Sequence, residues 1–156
     1  MNLDKKLIDN LINITSSASI ACHKFVGKND KIIADKAATD DMRKNLNKLD
    51  IDGKVVIGEG ELDEAPMLYI GEKLGTGNGP SIDIAVDPLE GTNFAAKNLP
   101  GALSVMAISL KGIRYVFYNT EFMRDINSNI KYWGNMSILA HEIGHHINGH
   151  TIDVIL

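Results

Sequence analysis

Ten residues constrain this chain more than any others: Asp83-Ile84-Ala85-Val86-Asp87-Pro88-Leu89-Glu90-Gly91-Thr92. Ile82, Ile84 and Val86 alternate with Ser81, Asp83 and Ala85, the period-two pattern of a short, mostly buried strand. The strand runs into two carboxylates, a hydroxyl, a proline and a glycine. It therefore delivers Asp87, Glu90 and Thr92 to its C-terminal edge, where open α/β sheets place their ligands. The expected fold class is α/β (α+β), with helices laid on a sheet.

The chain before this strand supplies the helices. Leu3, Leu7, Leu11, Ile14, Ala18, Ala21, Cys22 and Phe25 recur at steps of three and four, which predicts an amphipathic helix ended by Gly27. A second helix starts near Asp30, with Ala34, Ala38, Met42, Leu46 and Leu49 on one stripe. Asp35 lies near its first turn. By itself it reads as a helix-start acid that complements the macrodipole. Cys22 is the only cysteine. That excludes an internal disulfide and a multi-cysteine zinc site, and its place on the apolar stripe makes it core filler.

Lys54-Val55-Val56-Ile57 predicts a strand that ends in Gly58-Glu59-Gly60-Glu61-Leu62-Asp63-Glu64-Ala65-Pro66. Carboxylates at this density repel one another unless they are solvated or share cations. Glycines on either side of Glu59 let the backbone turn and hold that side chain inward. A solvated acidic loop and a metal-binding loop are both consistent with the pattern. Met67–Leu74 is apolar without a period that separates strand from helix. Gly75-Thr76-Gly77-Asn78-Gly79-Pro80 lacks the Gly-Lys-Ser/Thr ending of a phosphate loop and opens no helix, so it reads as a turn. Ala102–Leu110 predicts a further strand.

Asp35, Glu59 with Glu61, and Asp87 with Glu90 are hard oxygen donors at strand ends or a helix start. That chemistry suits Mg²⁺ or Mn²⁺. Pro88 fixes φ between Asp87 and Glu90, so a tight turn can point both carboxylates into one cavity. Gly91 and Thr92 offer backbone N–H groups to a phosphate, and the Thr92 hydroxyl can orient an attacking water.

Asp-Pro-x-(Asp/Glu)-Gly-Thr after a strand resembles the lithium-sensitive, metal-dependent phosphatase superfamily. The likeness is closer to one branch. Gly27-Lys28-Asn29-Asp30-Lys31 with Ala34-Asp35, Val56-Ile57-Gly58-Glu59-Gly60-Glu61 with Asp63-Glu64-Ala65-Pro66-Met67, Ile70-Gly71-Glu72-Lys73, and Asp83 to Thr92 resemble bacterial class II fructose-1,6-bisphosphatase. The resemblance runs from residue 1 to about residue 112. It implies the N-terminal part of a layered α/β sandwich, family members being roughly twice this length. It also implies that Asp35, Glu59, Asp87 and Glu90 are metal ligands, that Thr92 and Glu59 act on the water, and that Gly91 and Thr92 face the phosphate. The implied reaction is hydrolysis of the 1-phosphate of fructose 1,6-bisphosphate, a step of gluconeogenesis. Some relatives also accept sedoheptulose 1,7-bisphosphate.

Composition shifts near residue 112. The last 44 residues hold four of the five histidines and six of the nine aromatics. They hold only seven charged residues, in a chain with 16 Lys+Arg and 20 Asp+Glu. Tyr115–Tyr118 predicts a strand, and Thr120–Ile126 and Ser137–Asn148 predict helices. On the last of these, His141 and His145 are four apart on one face and Glu142 adjoins them. This is the zinc-peptidase arrangement, with two imidazoles on Zn²⁺ and the glutamate as base. The segment resembles the core of zincin-type metallopeptidases. The metzincin pattern would put its third histidine at 151, where this chain has Thr151, and His150 is one residue short.

The two resemblances predict a chimaera, with a partial phosphatase domain over 1–112 and a helical HExxH fragment over 113–156. The leading expectation is the sugar bisphosphatase activity. The alternatives are a zinc metallopeptidase fragment and an inactive fragment whose uncovered sheet favours homo-oligomers. The net charge of −4 argues against a nucleic-acid or anionic-membrane partner. No apolar run approaches membrane-spanning length, and the N-terminus lacks a signal-peptide core. The expected compartment is the cytoplasm and the expected partner a small sugar bisphosphate.

Overall fold

Two helices laid on one sheet follow directly from the apolar spacing. A computed structural model of the protein describes residues 4–58, 67–110 and, as backbone alone, 113–118. Helix α1 spans Lys5–His23 and buries Leu11, Ile14, Ala18 and Cys22. Helix α2 spans Lys31–Leu46 and buries Ala34, Ala38, Met42 and Leu46. Both stripes are the predicted ones. The fully buried Ala18, Ala34 and Ala38 lack bulk, so the two backbones can approach closely where they pack.

Helix α1 closes at His23, earlier than Gly27. The next residues wind tighter, with Phe25 N–H bonded to the Cys22 carbonyl at 2.9 Å and Val26 N–H to that of His23 at 3.1 Å. Gly27 then takes φ +76, a left-handed conformation that a side chain would disfavour. Asp30 caps α2 by accepting the Ile33 N–H at 3.1 Å, an interaction typically worth about 1 kcal/mol.

The strands are β1 (Asp52–Ile57), β2 (Lys73–Leu74), β3 (Ser81–Glu90), β4 (Leu103–Leu110) and β5 (Ile113–Tyr118), with a short helix α3 (Thr92–Ala96) between β3 and β4. Among the described residues they form one five-stranded sheet in the order β2-β1-β3-β4-β5. Strands β1 and β3 are parallel and the other pairs antiparallel. Ile82, Ile84 and Val86 of β3 join Met106 and Ile108 of β4 and the helical stripes in one core. Truncating Leu11 or Met42 to alanine in such a core would cost about 2–5 kcal/mol.

Strands β1 and β3 differ from expectation in extent. Strand β1 begins two residues early. Strand β3 continues through Pro88 to Glu90, with a register shift against β4 between Asp87 and Glu90. A proline is tolerated in this central strand because the pairing with β1 has ended at Ala85 and Pro88 falls within the register shift against β4, so no ladder bond needs its missing N–H. The apolar segment 67–74 is mostly irregular chain ending in β2.

The glycine-rich segment 75–80 is irregular, as predicted. A Cβ at Gly75 would overlap the Ile51 carbonyl and one at Gly79 the Asp50 carbonyl. Strand β5 contains the predicted 115–118 strand and pairs with β4 from Leu110↔Ile113 to Val105↔Tyr118. The sheet thus runs across the composition shift at residue 112. The two helices expected beyond β5, with His141, Glu142 and His145, lie outside the described residues. No helix among the described residues is long and apolar enough to cross a membrane.

Candidate functional site

The end of β3 is shaped by its own residues. Asp87 is half-buried, and its Oδ1 accepts the Leu89 N–H at 3.1 Å. This bond fixes the carboxylate against the turn it opens. Pro88 and Leu89 are buried beneath it, while Glu90, Gly91 and Thr92 are half-buried. Gly91 takes φ +77 and precedes the first residue of α3. Its carbonyl accepts the N–H groups of Phe94 at 2.8 Å and Ala95 at 3.2 Å. A Cβ at Gly91 would stand 3.0 Å from Phe94 Cδ2 and 3.2 Å from the Gly101 carbonyl. Conformation and space therefore both require glycine here.

Helix α2 packs against β3 and α3. The link is reinforced where Gly27 N–H bonds the Ala95 carbonyl at 3.0 Å and Asn29 N–H that of Ala96 at 2.8 Å. This brings the helix of Asp35 beside the β3 end. Asp35 does not sit as a helix-start acid, because the first turn of α2 contains no acidic residue and Asp30 does the capping. Its Oδ1 is buried with no hydrogen-bond partner among the described residues. Burial pushes its carboxyl above the ordinary aspartate range. Burial also raises the Cys22 thiol, with a smaller contribution from the Asp35 charge. Cys22 is 5% exposed and free, core filler as expected.

The structure thus carries Asp87, Glu90, Gly91 and Thr92 on one turn and Asp35 on the adjoining helix. Glu59 and Glu61 lie outside the described residues. Among the described residues, no three His, Cys, Asp or Glu side chains gather closely enough to hold a metal ion. A cavity of about 270 Å³ adjoins the turn through Leu89, between the end of α1 and the start of β4. It is lined mostly by apolar groups, with no carboxylate, lysine or arginine among them, so it does not suit a sugar phosphate.

Close contacts flank the acidic segment on both sides, and one of them, the pairing of Arg43 with Glu72, is one that sequence reasoning did not single out. Gly58 lies flush against the Leu68 carbonyl, which a Cβ would overlap. Arg43 of α2 donates from Nε to Glu72 Oε1 at 2.7 Å and from Nη2 to Glu72 Oε2 at 3.2 Å. Its Nη2 also donates to the Met67 carbonyl. The Glu72 hydrogen bond raises the Arg43 guanidinium further above its ordinary range. Nothing local announces this pair. Arg43 falls beside the apolar stripe of α2, and its partner is 29 residues away.

Comparison with known proteins places this arrangement. The family model described as bacterial fructose-1,6-bisphosphatase, glpX-encoded, matches residues 5–143. The match extends past residue 112. A Synechococcus sp. (strain CC9902) protein named D-fructose 1,6-bisphosphatase class 2/sedoheptulose 1,7-bisphosphatase is 52% identical over 110 residues, 70% of this chain and 33% of that protein. The Escherichia coli (strain K12) fructose-1,6-bisphosphatase 1 class 2 is 57% identical over 99 residues, 64% of this chain and 30% of its own length. The matched stretch therefore spans about a third of these curated relatives. Among solved structures, an extragenic suppressor from Pyrococcus furiosus superposes with a TM-score of 0.52 at 18% identity, covering 76% of this chain and 47% of that one. That likeness speaks to the fold alone.

Proposed function

Because the chain belongs to the glpX-encoded, class II family of bacterial fructose-1,6-bisphosphatases, we propose that it carries the metal-binding corner of a sugar bisphosphatase site. The reaction is hydrolysis of the 1-phosphate of fructose 1,6-bisphosphate, a step of gluconeogenesis. The name of the Synechococcus relative adds sedoheptulose 1,7-bisphosphate as a second candidate substrate.

The observation that carries this reading is the Asp35 carboxylate. Its Oδ1 is buried and has no partner among the described residues, on a helix packed against the strand that presents Asp87 and Glu90. A buried carboxylate oxygen without a partner is costly in a native fold, and a bound cation is one way to satisfy it. Oxygen donors alone, without sulfur or imidazole, fit Mg²⁺ or Mn²⁺. Asp35, Glu59, Asp87 and Glu90 would hold the ion. When bound, it supplies neutralisation of the phosphate oxygens.

The remaining work falls to the chain. The bond from Leu89 N–H holds Asp87 in one rotamer. Gly91, free of a side chain, would let a phosphate approach the turn and accept from the Gly91 and Thr92 backbone N–H groups. The Thr92 hydroxyl orients the attacking water, and Glu59 accepts its proton.

Phosphate release from fructose 1,6-bisphosphate in Mg²⁺ or Mn²⁺ tests the reading. Asp87→Ala and Glu90→Ala should each lower it on the order of 100-fold or more. Release no higher than in Asp87→Ala would refute the activity for this chain.

The spacing of His141, Glu142 and His145 supports a second reading, a zinc peptidase fragment joined at residue 112. Two observations weigh toward continuity with the phosphatase. The sheet continues through β5, and the family model matches as far as residue 143. Stoichiometric zinc retained after dialysis and lost in His141→Ala would favour the peptidase reading. A phosphatase of small sugar phosphates works in the cytoplasm. Exposed Ile12, Ile20 and Ile32 on the helices support self-association, which sedimentation velocity would detect.

A further inference from the structure

Arg43 and Glu72 make a two-pronged polar contact, and neither belongs to the apolar core cluster. Two guanidinium nitrogens meet the two carboxylate oxygens, at 2.7 and 3.2 Å. The Arg43 side chain is 25% exposed and that of Glu72 11%. Glu72 Oε2 also accepts the Tyr69 N–H at 3.3 Å. The Glu72 main chain is pinned to β1, its carbonyl accepting the Val55 N–H at 2.9 Å. Gly71 N–H returns a bond to the Val55 carbonyl at 2.8 Å. The same Arg43 head reaches the Met67 carbonyl, and Asp40 Oδ1 lies 3.8 Å from its Nη1.

These bonds tie three parts of the molecule together: helix α2, strand β1 and the chain from Met67 to Glu72. Asp35 is on the same helix, eight residues earlier, about 12 Å along its axis at the helical rise. Met67 is the first described residue after the acidic segment that holds Glu59. A two-pronged arginine–carboxylate fork fixes direction as well as distance, which a point charge or an apolar contact does not. Desolvating such a pair gives little stability over apolar residues of the same volume. Its geometry is what distinguishes it.

We propose that Arg43 and Glu72 are a positioning pair: they tie the helix of Asp35 to the Met67–Glu72 chain bonded to β1, the strand beside the one that ends in Asp87 and Glu90, and so set the spacing of Asp35 from those carboxylates. The inference rests on the metal-site reading above. Neither residue touches the ion or the substrate. Both act through the path of the backbone.

The experiment compares Mn²⁺ affinity with thermal stability in the full chain. Free Mn²⁺ is followed by its electron paramagnetic resonance signal during titration. The double variant Arg43→Met/Glu72→Met replaces the pair with apolar groups that keep the volume. It should melt cooperatively, close to the parent, yet bind Mn²⁺ about 10-fold or more weakly. A double variant that melts like the parent and binds Mn²⁺ as tightly overturns the proposal. If that variant does not fold, Arg43→Lys decides. It keeps the charge and loses the fork, so weaker Mn²⁺ binding supports the pair's role and unchanged binding overturns it. Asp35→Asn separates the two levels of inference. Should the parent bind no Mn²⁺, or Asp35→Asn bind it equally well, the metal site itself is wrong and the positioning role falls with it.

Discussion

Two turns belong to the candidate site, and opposite means hold them. The turn from Asp87 to Thr92 is built locally. Asp87 bonds Leu89 two residues on, Pro88 fixes its own φ, and Gly91 takes a left-handed conformation and bonds Phe94. The turn from Met67 to Glu72 depends on a distant partner, Arg43, on another element. The first turn carries candidate ligands. The second carries none that the motifs identify, yet more polar contact is spent on placing it. A site assembled from separate segments needs both, because local turn chemistry aims a side chain but does not set its distance from a side chain elsewhere.

The largest expected effect separates aim from charge within the local turn. In Asp87→Asn the amide oxygen can still accept the Leu89 N–H, so the turn and the melting temperature should change little. The negative charge is gone, and phosphate release should fall on the order of 100-fold or more. Asp87→Ala should lose the activity and, in addition, about 1 kcal/mol for the missing hydrogen bond. Urea unfolding of the two variants beside phosphate release makes the comparison. Equal activity in Asp87→Asn and the parent would show that the residue serves the turn alone.

The next effect falls on the long-range turn. Glu72→Ala strips a mostly buried guanidinium of its principal acceptor. Breaking a fully buried pair costs about 3–5 kcal/mol. A quarter of the Arg43 side chain meets solvent, so about 2–3 kcal/mol is expected after that discount. The exposed pair Lys36–Asp40, at 2.8 Å with both side chains at least half exposed, supplies the contrast. Lys36→Ala should cost no more than about 0.5 kcal/mol. Urea midpoints that fail to rank the two would remove the distinction between a placed contact and an incidental one.

Gly91→Ala strikes the local turn at its most constrained point. A non-glycine residue in the left-handed region costs about 1–2 kcal/mol, and the added Cβ presses on Phe94 and the Gly101 carbonyl. A loss of about 2 kcal/mol is expected, slightly below that for Glu72→Ala. A neutral Gly91→Ala would mean that this turn relaxes freely and is not the rigid partner in the comparison.

This contrast also decides what could be read in advance. Helix stripes, the strand into Asp87 and the turn around Gly91 depend on residues a few positions apart, and each lies near where periodicity puts it. The continuation of β3 past Pro88 could not be read from the strand alone, because it depends on where β1 stops pairing. Strand β5 was legible as a strand. Its place on β4, across a change in composition that resembles a boundary, was not. Composition records which residues a stretch contains, whereas pairing records which edge is free to receive it. The Arg43–Glu72 fork is the extreme case, because no spacing rule links a helix flank to an irregular segment 29 residues later. Asp35 was legible in type but not in state. Its identity as an acid near a helix start suggested a partner for the macrodipole, but the helix begins earlier, Asp30 caps it, and the Asp35 Oδ1 is buried.

The smallest expected effect concerns that same residue and runs in the opposite direction from the others. Helix α2 carries an arginine supplied with several acceptors and an aspartate whose Oδ1 has none among the described residues. Burial raises the Asp35 pKa in the folded chain above its unfolded value. A raised carboxyl pKa means that the native state holds the proton more tightly than the unfolded state does. The charged form therefore destabilises the fold fully above the folded pKa. The penalty is relieved as pH falls through that value toward the unfolded one. Asp35→Asn should accordingly raise the melting temperature at neutral pH without added metal, and the gain should shrink as the pH is lowered into the ordinary carboxylate range. Mn²⁺ should raise the melting temperature of the parent and not that of Asp35→Asn, since an ion that binds only the folded state stabilises it by mass action. A variant less stable than the parent at neutral pH would show that Asp35 is already satisfied within the fold, making both ends of α2 structural and leaving the Asp87–Thr92 turn without its partner.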